Sequence, residues 1–72
     1  MNQDTLPNLG QQYRSAKASA YGAPSQIIWV VQQSWFGADG IPYVRLVKER
    51  DATEKKTLSA MTLEDRHNFI PL

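Results

Sequence analysis

Large apolar side chains are unevenly placed along this chain. Every Val, Ile, Phe and Trp lies between Ile27 and Ile70, while residues 1–25 hold nine apolar side chains, four of them alanine. The early segment is otherwise Gln, Asn, Ser, Gly and Pro, broken by Pro7, Gly10, Gly22 and Pro24. It offers too little apolar surface to offset roughly 1–2 kcal/mol of backbone entropy per residue. Residues 1–25 are therefore expected to be a flexible tail, with residues 26–72 carrying the fold. A short helix over Gln11–Ala20 is one ordered alternative, though its contact face is thin. A segment around Tyr13, Arg14, Lys17 and Tyr21 that orders on a partner is another.

Beyond residue 25 the pattern turns to strands. Gln26–Gln33 is rich in β-branched and aromatic residues and too short for a self-standing helix. Asp39-Gly40 then marks a hairpin turn, because a two-residue turn needs positive φ at both positions. Ile41–Arg50 returns as a second strand, in which Pro42 must turn its missing donor away from the ladder. With a two-residue turn, Phe36 faces Tyr43, Trp35 faces Val44, Gln33 faces Leu46 and Val31 faces Lys48. That register places Trp29, Val31, Gln33 and Trp35 on one sheet face. Both faces then carry large apolar groups, so a bare hairpin must curl or be covered.

Asp51–Lys56 reads as a charged turn and Thr57–Met61 as a third short strand. Thr62-Leu63-Glu64-Asp65 has the form of a helix N-terminus with Thr62 as the cap, and that helix ends by Asn68 ahead of Pro71. Phe69–Leu72 closes as a last strand. This order of elements over residues 26–72 resembles a small, curled SH3-like barrel, a likeness of element order and not of motif. The Ala-Leu-Tyr-Asp-Tyr segment of peptide-binding SH3 domains is absent. A three-stranded antiparallel sheet with a C-terminal helix is the competing architecture.

Composition narrows the function. Eight basic and seven acidic side chains give a net charge of +1, which argues against coating a polyanion. The chain has no cysteine, so it has no disulfide framework and no thiol chemistry. Its longest apolar run, Ile27–Val31, is far short of a membrane span. No basic stretch followed by an apolar core opens the chain. These features lead to an expectation of a cytoplasmic protein without a membrane partner. An ordered part of about 47 residues lies close to the lower limit for a stable domain, roughly 40 residues, so self-association or a partner would help it.

Catalytic candidates are few. His67 is the only histidine, and with Glu64 it supplies two metal ligands at most, short of the four a structural zinc needs. Gly37 and Gly40 belong to a turn, not a phosphate loop. Neither Ser34 nor Ser59 has an evident base. The expectation is a non-enzymatic protein with no metal, cofactor or small-molecule substrate.

The most suggestive cluster is Trp35, Phe36, Tyr43 and Arg45 around the hairpin end, with Lys48 further along. These five are the candidate binding residues. The favoured reading is a protein-interaction or small assembly module, with self-association among its modes. The alternative is a nucleic-acid-binding accessory domain, in which the aromatics stack on bases and the cations track phosphates. Six basic and six acidic side chains in residues 26–72 weigh against that alternative.

Overall fold

The computed structural model describes residues 6–17 and 26–72. They form five strands and one short helix: β1 Gln12–Ser15, β2 Ile28–Phe36, β3 Pro42–Lys48, β4 Asp51–Ser59, α1 Ala60–Glu64 and β5 Phe69–Pro71. The strands make one antiparallel sheet in the order β4-β3-β2-β1-β5. β4 and β5 are its outer strands, so the sheet is open and not closed into a barrel. Helix α1 contacts β3, β4 and β5.

The described part of the expected tail is structured, which corrects that expectation for residues 6–17. Asn8–Gln11 is a turn closed by the Gln11 amide on the Asn8 carbonyl at 3.2 Å, with Gly10 at φ 85°. Positive φ at the third position is the type II arrangement that glycine accommodates without strain. The chain then enters the sheet as β1, where Tyr13 pairs with Trp29 on one side and Pro71 on the other. Apolar content was a poor guide here because β1 needs only one inward side chain, Tyr13. The alternative helix over Gln11–Ala20 is likewise replaced by this strand over Gln12–Ser15 and by non-helical chain at Ala16 and Lys17. Residues 1–5 and 18–25 lie outside the described residues.

The hairpin register also differs from expectation, in two steps. Its loop has three residues: the Gly37 amide bonds the Ile41 carbonyl at 2.8 Å, and the Gly40 amide bonds the Gly37 carbonyl at 2.9 Å. Gly40, at φ 81°, occupies the left-handed position that ends such a loop. Trp35 therefore faces Tyr43, Gln33 faces Arg45 and Phe36 faces Pro42. A bulge at Gln32 then slips the ladder again, so that Val31 faces Leu46 and Trp29 faces Lys48. A bulge places two residues of one strand against one of the other, and every side chain beyond it changes face.

The core lies on the face covered by α1. Tyr13, Trp29, Val31, Val44, Leu46, Ala60, Leu63 and Phe69 are buried together, with Leu58 packed against them. Leu46 and Leu63 are fully enclosed. The helix begins three residues before the expected start. Ser59, not Thr62, is its N-cap, and the Ser59 hydroxyl accepts from the Thr62 amide at 3.2 Å. Asp51–Lys56, expected as a turn, is instead the first part of β4, and Glu49-Arg50 makes the turn. Residues 51–57 are nevertheless exposed, as their polar composition requires.

Candidate functional site

The bulge at Gln32 decides which residues meet on the outward face. Without it, Trp35 would share the inner face with Val31. With it, Trp35 lies outward beside Tyr43 and Arg45, and Ser34 and Phe36 take the inner positions. The Trp35 and Tyr43 rings stack at 6.1 Å between centroids with a 28° angle between their planes. The Arg45 guanidinium lies 5.8 Å from the Trp35 ring centroid. Its Nη1 donates to Gln33 Oε1 at 3.2 Å. Cation and ring attract through the ring quadrupole, by about 0.5–1 kcal/mol at an exposed site.

The loop holds the other end of this platform. Asp39 Oδ1 accepts the Ile41 amide at 3.0 Å, and Asp39 Oδ2 accepts the Tyr43 hydroxyl at 2.8 Å. The Ile41 amide first, then the Tyr43 hydroxyl, hold the Asp39 carboxyl below its usual range. The same hydroxyl bond raises the Tyr43 phenol, because its proton is shared with a carboxylate. Gly37 lies under the Tyr43 ring: a Cβ there would come within 2.6 Å of Tyr43 Cε2. The loop thus fixes Tyr43 through a glycine beneath it and a carboxylate beyond it.

Of the five expected binding residues, the structure brings together three: Trp35, Tyr43 and Arg45. Phe36 sits at an inner-face register position and is 48% exposed. Lys48 lies three residues beyond Arg45 on β3. There its Nζ pairs with Glu54 Oε2 at 3.3 Å, and it lines a separate groove with Ile28 and Arg50. The chain pattern did not disclose Gln33, Asp39 or Leu9 as neighbours of the platform. Their placement depends on the bulge, the three-residue loop and the N-terminal turn.

An open groove of about 490 Å³ runs beside the platform, lined by Leu9, Gln32, Gln33, Ser34, Trp35 and Arg45. Leu9 is 68% exposed. No carboxylate pairs with Arg45 among the described residues. Another cation, Lys56, sits 4.6 Å from the Trp29 ring and 6.0 Å from that of Phe69, closing the edge of the core. His67 is exposed in the turn after α1, its amide bonded to Asp65 Oδ1 at 2.9 Å. Among the described residues no three His, Cys, Asp or Glu side chains are grouped as a metal site, and no helix is long and apolar enough to cross a membrane.

Compared with known protein families, curated proteins and solved structures, the chain matches none.

Proposed function

We propose that this chain is a non-enzymatic protein-interaction module, acting in the cytoplasm, that docks its partner on the outward face of the sheet. The observation that carries this reading is the stacked Trp35–Tyr43 pair with Arg45 beside it, held in place by Asp39 and Gly37. Preorganised aromatic and arginine side chains contribute most at protein contacts because little side-chain entropy remains to be lost. The unpaired stretch of sheet edge beside the Trp35–Tyr43 pair adds main-chain groups on which a partner strand, including one from a second copy, can pair. The SH3-like comparison belongs to this reading: the strand order and the helix placed before β5 support it. Curling into a closed barrel would require β4 and β5 to meet.

Nucleic-acid binding is the second reading. It is favoured by the outward register positions of Arg14, Arg45 and Lys55, a face whose strand positions carry no carboxylate. Against it, the Asp39 carboxylate sits at the edge of the only stacked aromatic pair found among the described residues. It would repel the phosphates that flank a stacked base.

Affinity capture from native lysate, with and without nuclease, separates the two. A protein retained after nuclease and lost on Trp35→Ala supports the module. Capture that disappears with nuclease, and falls steeply with salt, supports nucleic acid instead.

A further inference from the structure

β2 is paired along only part of its β1-side edge. The Val31 amide bonds the Gln11 carbonyl at 2.9 Å, and the Gly10 amide bonds the Val31 carbonyl at 2.9 Å. There the Asn8–Gln11 turn ends the ladder. Pro7 lies beside Ser34 only through its carbonyl, which accepts the Ser34 hydroxyl at 3.0 Å, and no described residue bonds the main chain of Gln32–Phe36 on that side. Antiparallel ladders alternate between bonded and non-bonded pairs. Gly37 and Ile41 form a bonded pair, so Trp35/Tyr43 and Gln33/Arg45 are bonded pairs as well. Ser34 and Phe36 lie between them, and their main-chain N–H and C=O point to the unfilled side. Pro42 agrees with this phase: it faces Phe36 in a non-bonded pair, where no donor toward β2 is needed.

The groove lined by Leu9, Trp35 and Arg45 lies along this same unfilled stretch. Its walls are an exposed leucine and an indole, and at its end Arg45 is tethered by a neutral amide and unopposed by any described carboxylate. Main-chain groups awaiting a strand, a leucine and an indole set among polar walls, and an unbalanced cation all face one occupant.

We propose that the Ser34–Phe36 edge of β2 binds an extended peptide segment in line with β1, carrying an apolar residue followed two positions later by a carboxylate. Residues i and i+2 of a strand share a face. The apolar side chain then lies between Leu9 and Trp35, and the carboxylate meets the guanidinium of Arg45. This deepens the interaction-module reading and rests on it, since it names where the partner binds and by what chemistry.

The test is titration of the ¹⁵N-labelled 72-residue chain with the capped peptide acetyl-Thr-Thr-Leu-Thr-Asp-Thr-Thr-amide. The expected result is saturable shifts of the Ser34 and Phe36 amides, with a Kd on the order of 1 mM, as suits a short unconstrained strand. Replacing the peptide's Asp by Asn should weaken binding about threefold, and by Lys about tenfold. Arg45→Gln should abolish the difference between the Asp and Asn peptides. Because the peptide changes leave the protein untouched, the comparison survives even if Arg45→Gln unfolds it. Unmoved Ser34 and Phe36 amides, or equal affinity for the Asp and Lys peptides, would overturn the proposal. If a nuclease-resistant protein is still captured in that case, only the edge site is lost; if none is captured, the module reading falls too.

Discussion

At the scale of single residues, the Asp39–Tyr43 bond makes the platform pH-sensitive in opposite directions. Asp39 is depressed when folded, so its contribution is present above its unfolded value of 3.8 and is lost as pH falls through the lower folded value. Tyr43 is raised, so its contribution is complete below its unfolded value of 10.0 and is lost as pH climbs through the higher folded value. Carbon-detected NMR titration should find the Asp39 midpoint below that of an ordinary aspartate. In Asp39→Asn the Tyr43 phenol should titrate nearer its ordinary range. An unchanged Tyr43 midpoint in that variant would break the link. Gly37→Ala places a methyl against the Tyr43 ring and should weaken the Trp35–Tyr43 stacking, visible as reduced near-ultraviolet dichroism. The sequence made Trp35, Tyr43 and Arg45 legible by residue type alone. It gave no reason to separate Phe36 and Lys48 from them, because that separation follows from facing and register.

Elements show why. A two-residue turn and a three-residue loop can be written with the same Asp-Gly pair, yet they differ by one in register, and one step exchanges the faces. The bulge at Gln32 adds a second step, with only the Gln32-Gln33 interruption of the apolar run to hint at it. β2, β3 and the final strand were legible from their β-branched and aromatic content. β1 was not, since a strand between two others needs main-chain partners more than apolar residues, and Gln12-Tyr13-Arg14-Ser15 shows only alternation after a glycine turn. Deleting Gln32 should remove the bulge while leaving Val31 opposite Leu46 and Trp35 opposite Tyr43. Nuclear Overhauser contacts between Trp35 and Tyr43 should then persist, and their loss would show that Gln32 is not the extra residue. Truncation through residue 17 should remove the strand that joins β5 to the sheet and abolish cooperative unfolding, where a true tail would leave urea denaturation unchanged. Ser59→Ala should cost about 1 kcal/mol through loss of the α1 cap.

For the whole molecule, a thin core carries the stability. The fully enclosed side chains are Leu46, Leu63, Val31 and Val44, with Leu63 the link between α1 and the sheet face. Leu63→Ala should cost about 2–5 kcal/mol by leaving a cavity, a large share of the 5–15 kcal/mol typical of domains. Urea denaturation of this variant should show the midpoint lowered with little change in slope. Among the described residues no element packs on the outward face, because α1 covers the other side. The net charge of +1 hid a local arrangement that only the register reveals: Arg14, Arg45 and Lys55 at outward strand positions, and carboxylates in turns, on the helix and on β4. The measurement that tests the docking face most directly is amide hydrogen exchange of the chain, alone and bound to its captured protein partner. The expected result is new protection at Ser34 and Phe36, whose amides are unbonded in the free chain, and none along the outer edge of β4. Protection confined to β4 or to the α1 side of the sheet would contradict it.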